Sequence, residues 1–386
     1  MTEISNIDDD FDTLISEEIL GVEEEKNDDE LVIDEPYDPA QIKVTTEKKT
    51  IDLVIRRIKH GEIDLAPEFQ RRARLWPINR RSQLIESLLL RIPLPVFYVA
   101  ANPNDDWVVV DGLQRITTIS DFIEGRFKLS GLEYLKGLED LDFNGLDRIM
   151  KRRIEETEIV INIIQPGTAE EVMMNIFKRI NTGGVPLNSQ EIRNAINKGP
   201  ARSLLRELAQ AEEFKLATDN SIRDTRMDAQ EMVLRFLAFR INPWTEYKAN
   251  KLDAYLNTAM RQLNTMSEQE LESLSNDFKL SMTRSFEIFG KNCFRKNTLT
   301  GRRSPISKPL FEAWSVNLAA LNDEEFSELA RKKDQLIIEH GVMLSYNIEY
   351  IVAITYSTGV PKRVISRFQE VQELIRKVIR EDDNDY

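Results

Sequence analysis

The chain contains 386 residues, of which 41% are hydrophobic, and its formal net charge at pH 7 is −14. This length is enough for two or more domains with sizeable cores, and no apolar run is long enough to span a bilayer. One cysteine and two histidines exclude an intrachain disulfide and a structural zinc site, although a carboxylate-bound Mg²⁺ ion stays open. Because the N-terminus is acidic and lacks the basic and apolar regions of a signal peptide, we expect a cytoplasmic protein.

The acidic excess is concentrated at the N-terminus, in residues 1–40, which we call the acidic segment. It contains sixteen Asp or Glu residues and one Lys, so it carries −15 and leaves the rest of the chain near +1. Such a run predicts a solvated, disordered tail that improves solubility. The alternative is a DNA-mimicking strip that masks a basic face. A second, shorter acidic tip occupies residues 381–386.

Helices and strands alternate over the next 160 residues. Apolar residues at helical spacing predict one helix from Ile51 to about Gly61 and another after Pro77, which suits a first helical turn. Short β-branched or alternating apolar runs predict strands at residues 96–100, 107–110, 127–129 and 158–164.

Beyond residue 200 the pattern is helical throughout. Two capping sequences, Thr168-x-x-Glu171 and Asn188-x-x-Glu191, predict helix starts shortly before this region. Further helices are predicted at residues 201–211, 228–241, 249–263, 268–289, 306–320, 324–339 and 361–380. We therefore predict an α+β fold, in which a small sheet with helices at residues 41–200 precedes an all-α domain at residues 201–380.

An acid, a glycine and a guanidinium lie together where the strand at 107–110 gives way to a helix. The unpaired N–H groups and the positive end of such a helix suit a phosphate, and Arg115 would add a bidentate contact. Asp111 has three possible partners: a sugar hydroxyl, a metal ion or Arg115 itself. The alternative is an ordinary strand–turn–helix with a solvated arginine. The other candidate residues at this turn are Gly112, Gln114, Thr117 and Thr118.

Two further polar segments are candidates to complete the same site. Residues 67–81 contain Glu68, several arginines and an indole, a combination that suits phosphate binding and base stacking. Residues 177–188 contain adjacent glycines whose backbone N–H groups can face a ligand. The alternatives are a surface loop with locally paired arginines and a simple helix C-cap. The candidate nucleotide contacts in the two segments are Arg71, Arg72, Arg179, Asn181, Thr182, Gly183 and Asn188. Arg74 and Trp76 are candidate nucleic-acid contacts.

A basic patch interrupts the helical domain at residues 291–308, which we call the basic segment. Its candidate nucleic-acid contacts are Arg295, Lys296, Arg302 and Arg303. A lone charge run of this kind is also typical of a solvated loop.

Four segments together resemble the N-terminal domain family of GmrSD-type restriction endonucleases, within a ParB/sulfiredoxin-like superfamily. They are GEIDLAPEFQRRARLW (61–76), SQLIESLLLRIPLPVFYV (82–99), VVDGLQRITTISDFI (109–123) and FKRINTGGVPLNSQEIRNAI (177–196). The family signature DGQQR is here Asp111-Gly112-Leu113-Gln114-Arg115, with Leu113 in place of the first glutamine. The resemblance implies a small ParB/sulfiredoxin-like mixed sheet, nucleotide binding and hydrolysis, and a role in DNA restriction in antiphage defence.

Three hypotheses follow from the resemblance and the residues together. The first is an NTP-binding and NTP-hydrolysing, DNA-associated component, with Asp111, Gln114, Arg115 and Glu68 as catalytic candidates and Mg²⁺ as a possible cofactor. Since the chain lacks the histidines of a His-Asn-His nuclease, its partners would be DNA and a separate nuclease subunit, and a homo-oligomer is open. The second hypothesis is a metal-dependent DNA nickase of the ParB-like type. The third is a non-catalytic nucleotide- or partner-binding module in which Leu113 marks a decayed site.

Overall fold

The computed structural model describes residues 21–23, 43–65, 76–168, 170–180, 188–222, 224–249, 252–296 and 304–380. The described residues divide into two compact units. The first extends to Asn188, and the second begins at Ser189 and also includes residues 21–23. The α+β prediction is confirmed, because a mixed sheet with helices precedes a helical region. In the part of the chain that the structure describes, no helix is long and apolar enough to cross a membrane.

A five-stranded mixed sheet forms the centre of the first unit, with the strand order β1-β5-β3-β4-β2. The strand β5 pairs antiparallel with β1 and parallel with β3, and β4 pairs antiparallel with β3 and parallel with β2. The strands are β1 (Val44–Thr50), β2 (Ile63–Asp64), β3 (Phe97–Ala101), β4 (Trp107–Asp111) and β5 (Glu158–Ile164).

Amphipathic helices cover this sheet and bury their apolar stripes against it. The buried residues of the first helix, Ile51, Val54 and Ile55, are those that its spacing predicts. Trp107 and Phe97 are fully buried in the same core. The helices of this unit are α1 (Ile51–Lys59), α2 (Ile78–Leu89), α3 (Leu113–Ile123), α4 (Arg148–Glu155) and α5 (Glu170–Ile180).

Three details of the sheet differ from the sequence prediction, and one of them is the two-residue strand β2, which was not predicted. The predicted strand at residues 127–129 is wrong: Phe127 and Leu129 are buried, but they belong to an irregular segment. The strand β1 was not predicted, because its sequence VTTEKKT has no apolar alternation. As an edge strand it exposes most of its side chains, so burial imposes no pattern on them.

A buried carboxylate on α2 fixes the irregular segment that follows α3. The Glu86 side chain is 3% exposed and accepts hydrogen bonds from the backbone N–H groups of Glu133, Tyr134 and Leu135 at 2.7–2.9 Å. Burial alone would raise the pKa of Glu86, but these N–H groups and Lys136 together lower it below its ordinary value of 4.5.

Glu86 is therefore expected to stabilise the first unit above its unfolded-state pKa, and this contribution is lost as the pH falls through the lowered folded-state pKa. We expect Glu86→Gln to lower the free energy of unfolding by about 1–2 kcal/mol near neutral pH. The difference from wild type should narrow as the pH falls below the ordinary pKa of 4.5 and through the lowered folded-state pKa of this carboxylate. Urea unfolding across this range measures the effect. A difference that is independent of pH would contradict it.

The second unit is built from packed helices around a large apolar core. Three of them, at residues 228–241, 268–289 and 361–380, have the predicted bounds. The predicted helix at 324–339 is two helices, because the backbone leaves helical geometry at Lys332. The helices are α6 (Ser189–Ile196), α7 (Pro200–Ala209), α8 (Glu212–Ala217), α9 (Asp228–Ile241), α10 (Leu252–Thr265), α11 (Glu268–Phe289), α12 (Lys308–Ala320), α13 (Asp323–Arg331), α14 (Lys333–Tyr346), α15 (Ile348–Ala353) and α16 (Pro361–Arg380).

Candidate functional site

The turn between β4 and α3 depends on a glycine. Gly112 has φ 98° and ψ 6°, in the left-handed region, and it is the N-cap of α3. A Cβ atom at this position would lie 2.3 Å from Cδ1 of Phe97 and 3.2 Å from a guanidinium nitrogen of Arg115. The backbone therefore approaches a buried aromatic ring more closely than any other residue type would permit.

Arg115 turns inward, towards the start of β3. Its guanidinium donates to the carbonyl oxygens of Pro95 at 2.5 Å and Val96 at 3.2 Å, and it lies 4.2 Å from the centre of the Phe97 ring. The side chain is 11% exposed, and burial lowers the pKa of Arg115 although Asp111 partly offsets this. The protein itself thus occupies part of the guanidinium's five donors, and the bidentate contact with an anion stays a prediction. In this structure Arg115 fixes the turn.

Asp111 is the third partner of the same guanidinium. Its Oδ2 atom accepts from Nη2 of Arg115 at 2.8 Å, and its side chain is 36% exposed at the end of β4. The sequence left three possible partners for Asp111, namely a sugar hydroxyl, a metal ion or Arg115. In the structure the partner is Arg115. The carboxylate nevertheless stays accessible from solvent at the edge of the turn.

The first two turns of α3 carry three buried side-chain oxygens without a hydrogen-bond partner. They are Oε1 of Gln114, Oγ1 of Thr117 and Oγ1 of Thr118, and none has a partner among the described residues. Their spacing of i, i+3 and i+4 places them on one face of the helix. Thr117 and Thr118 are 3% and 0% exposed. An unpaired buried polar atom costs about 1–3 kcal/mol, so a face with three of them indicates a polar ligand or bound water.

The backbone at the same end of α3 has no capping side chain among the described residues. The first turn of the helix also contains no acidic residue. The N–H groups of the first turn thus keep their partial positive charge. This end of α3 and its three-residue polar face, Gln114, Thr117 and Thr118, together form the candidate site.

Leu113 precedes Thr117 by one helical turn and borders the polar face. It is half-buried and packs against the apolar core of the first unit. The departure from the DGQQR signature is thus accommodated by apolar contacts. Farther along the polar face, Asp121 is buried and paired with Arg81 and Arg126, at 2.6 and 2.8 Å.

The other predicted nucleotide contacts, and the predicted nucleic-acid contacts Arg74 and Trp76, are only partly described. Arg179 is exposed on α5, a helix that packs against β4, and Asn188 is half-buried. Trp76 is half-buried, with the Arg80 guanidinium 4.4 Å above its ring, so the indole is already stacked on a cation. The predicted residues that lie outside the described part of the chain are Glu68, Arg71, Arg72, Arg74, Asn181, Thr182 and Gly183.

The predicted nucleic-acid contacts in the basic segment are also described only in part. Arg295 is 2% exposed and donates to the Ser304 carbonyl at 2.6 Å and to Ser221 Oγ at 2.9 Å. Its assignment as a backbone contact for nucleic acid is wrong in this structure, because the side chain is buried inside the helical unit. Lys296 is half-buried at the surface. Arg302 and Arg303 lie outside the described residues.

The described residues contain no group of three or more His, Cys, Asp or Glu side chains placed to hold a metal ion. One of the two histidines, His340, is buried in the second unit, where burial lowers its pKa to about 3. It accepts from Trp314 Nε1 at 3.3 Å and faces the Tyr350 hydroxyl, so its contacts are those of a neutral core residue.

Comparison with known families identifies the first unit and its immediate continuation. Residues 51–197 match the family described as GmrSD restriction endonuclease, N-terminal domain. A search of the curated proteins finds no match for this chain. Residues 51–197 therefore form a domain of the GmrSD N-terminal family, which confirms the resemblance drawn from the sequence motifs.

Proposed function

We propose that this GmrSD-type domain binds a nucleoside triphosphate at the start of α3 and couples its hydrolysis to DNA restriction. The observation that carries the proposal is the polar face of Gln114, Thr117 and Thr118, whose buried oxygens have no partner among the described residues. A phosphate at the adjacent helix end would accept from the open N–H groups and from the threonine hydroxyls. The Gln114 side chain would then contact a second polar group of the nucleotide.

The residues of the turn have different roles in this proposal. Arg115 is a positioning residue, because its hydrogen bonds hold the turn rather than the phosphate. Phosphoryl transfer needs charge neutralisation at the leaving group and a positioned water. Mg²⁺ or cationic side chains would supply the charge neutralisation. Asp111 or Glu68 is the candidate base that would position and activate the water. Arg71, Arg72, Arg179, Asn181, Thr182, Gly183 and Asn188 stay candidates for closing the site.

The proposed partners are DNA and a separate nuclease subunit. The family name places the domain in restriction, and residues 51–197 contain only one histidine, His60, which is exposed. A general base and metal ligands for strand cleavage of the His-Asn-His type would have to come from outside residues 51–197. A plasmid-nicking assay with Mg²⁺ and no nucleotide tests the alternative of a ParB-like nickase, which would cut under these conditions.

The decisive experiment replaces the two threonine hydroxyls with methyl groups. We expect Thr117→Val/Thr118→Val to weaken triphosphate binding about tenfold or more, since each hydroxyl would lose a charge-assisted hydrogen bond. The unfolding temperature of the nucleotide-free protein should stay unchanged or rise, because the variant removes two unsatisfied buried groups. Isothermal calorimetry with the four NTPs and thermal unfolding measure the two effects.

Thr157→Val is the matched control. The Thr157 hydroxyl donates to the Arg153 carbonyl at 2.6 Å, so its loss should lower stability by about 1 kcal/mol without changing triphosphate affinity. If the double variant bound nucleotide as tightly as wild type, the polar face of α3 would not be the binding site. If wild type bound none of the four nucleotides, the third hypothesis, a non-catalytic partner-binding module, would be favoured.

A further inference from the structure

One face of the helix α14 is apolar and exposed. Of the sixteen large hydrophobic side chains that are exposed in the described part of the chain, five lie between residues 337 and 348. The opposite face of α14 is buried in the core of the second unit through Leu336 and Leu344. A helix that is apolar on both faces is normally buried on both. The five residues, which we call the exposed apolar face, are Ile337, Ile338, Val342, Tyr346 and Ile348.

Charged groups lie at the ends of this face rather than within it. Between residues 337 and 348 the only Asp, Glu, Lys or Arg is Glu339, which pairs with Lys377 at 2.7 Å. Lys333 is exposed before the face, and Glu349 is exposed after it. A centre without charges and a polar rim are typical of a protein–protein interface.

A cavity of about 100 Å³ borders the same helix. Ile337, His340 and Gly341 form its wall on α14, and the aromatic rings of Phe289 and Trp314 line it from the neighbouring helices. An apolar cavity of about 150 Å³ holds a whole benzene molecule, so this smaller, open cavity can take part of an aromatic ring.

His340 adds a hydrogen-bond donor to the residues that line the cavity. Trp314 Nε1 can only donate, so its contact of 3.3 Å makes Nε2 of His340 the acceptor. The imidazole is neutral because burial lowers its pKa to about 3, and its single proton is therefore on Nδ1. This N–H group makes no hydrogen bond among the described residues. An aromatic ring that carries an oxygen acceptor would therefore suit the cavity better than a hydrocarbon ring.

The cavity and Tyr346 lie on α14 at similar distances from Val342, in opposite directions. The cavity wall on α14 centres near residue 339, about 5 Å before Val342 along the helix axis, and Tyr346 lies about 6 Å after it. A two-fold axis through Val342 would place Tyr346 of each copy opposite the cavity of the other, which is the self-complementarity of an isologous interface. The same antiparallel arrangement brings Lys333 of one copy, about 14 Å before Val342, near Glu349 of the other, about 10 Å after it.

The exposed apolar face also has the area that a stable dimer needs. Tyr346 is 74% exposed, Ile348 76% and Ile338 64%. The exposed parts of all five side chains amount to roughly 400–500 Å² in each copy. A standard interface buries about 800 Å² per partner, of which about 65% is apolar in homodimers, so it needs about 500 Å² of apolar surface per copy.

We infer that the exposed apolar face binds a second copy of this chain in an antiparallel, two-fold symmetric dimer. Tyr346 of each copy inserts its ring into the cavity of the other, and its phenol oxygen accepts from Nδ1 of His340. The inference goes beyond the proposed function, because the contact lies in the second unit and requires neither nucleotide nor DNA.

The first experiment compares two full-length variants that each replace an exposed apolar residue of the second unit with glutamate. We expect wild type to dimerise with a dissociation constant of about micromolar. Val342→Glu places two carboxylates at the two-fold axis and should raise this constant at least about a hundredfold. Leu216→Glu is the matched control on α8, where the residue is also exposed, and it should change the constant by no more than about twofold.

A charge exchange tests the antiparallel arrangement. Lys333→Glu and Glu349→Lys should each weaken the dimer about fivefold, since each places like charges opposite one another at both ends of the interface. The double variant restores opposite charges and should dimerise about as well as wild type. Sedimentation velocity from about 1 to about 50 µM measures all of these constants without nucleotide or DNA, and circular dichroism verifies that each variant is folded.

A wild-type protein that stayed monomeric at about 50 µM would overturn the inference, and so would a dimer that Val342→Glu left intact. In the first case a different protein would be the occupant of the exposed apolar face. If the double variant failed to restore what the single charge variants lost, the antiparallel pairing would be overturned. None of these results changes the proposed function, because nucleotide and DNA binding are measured separately.

Discussion

Arg115→Ala should lower the free energy of unfolding of the first unit by about 3 kcal/mol. The variant leaves the carbonyl oxygens of Pro95 and Val96 without their donor and Asp111 without its counter-ion. It also removes the cation that stacks on the Phe97 ring. Urea unfolding of the full chain measures the loss. Hydrogen exchange of peptides that cover β4 and α3 localises it to the turn.

Arg115→Lys separates the charge from the shape of the side chain. An ammonium group retains the positive charge opposite Asp111, but it cannot reach three acceptors with the planar geometry of a guanidinium. We therefore expect Arg115→Lys to lower the free energy of unfolding by less than Arg115→Ala does. Unchanged exchange and unchanged unfolding in Arg115→Ala, with loss of nucleotide affinity, would contradict the positioning role. They would instead restore the direct phosphate contact that the sequence suggested.

The contacts of Arg115 show which features of the site depend only on residues that are close together in the sequence. The change from strand to helix at Asp111-Gly112 follows from residue types that are adjacent in the chain, so it could be predicted. The pairing of Asp111 with Arg115 is also local, at i and i+4. The deciding acceptors, Pro95 and Val96, lie just before the strand β3, about twenty residues earlier in the chain. A pattern within one segment contains no information about such a contact.

The same distinction applies to the rest of the fold. Helices α11 and α16 have predictable bounds because clear capping residues mark the first and an apolar stripe marks the second. The edge strand β1 has no such mark, because its stability comes from pairing along its whole length with β5. Arg295 was misjudged for a related reason. Its charge suggested exposure, whereas the Ser221 hydroxyl and the Ser304 carbonyl satisfy it inside the unit.

The polar face of α3 is the part of the site that the sequence predicts best. Gln114, Thr117 and Thr118 share a face because of helical periodicity alone, and their burial follows from the apolar residues beside them. The sequence could not show that their oxygens have no partner among the described residues. That property depends on every neighbouring element, and it is the one that points to a ligand.

Gly112→Ala should have the largest effect on stability, a loss of about 3–5 kcal/mol in the first unit. Two costs add at this position. The left-handed backbone with φ 98° strains any residue with a Cβ, and that Cβ would lie 2.3 Å from the buried ring of Phe97. Since Phe97 has no exposed surface, the ring can move only by disturbing the core and the guanidinium that stacks on it.

Alanine variants at Gly61 and Gly137 separate the cost of backbone strain from the cost of the contact with Phe97. Gly61 has φ +76° but open space around it, so Gly61→Ala reports backbone strain alone, about 1 kcal/mol. Gly137 has neither positive φ nor a neighbour within 4 Å, so Gly137→Ala should be close to neutral. Urea unfolding of the three variants gives the steric part at residue 112 by difference. If Gly112→Ala cost no more than Gly61→Ala, the close approach of the turn to Phe97 would be refuted. The positioning of Arg115 by that ring would be refuted with it.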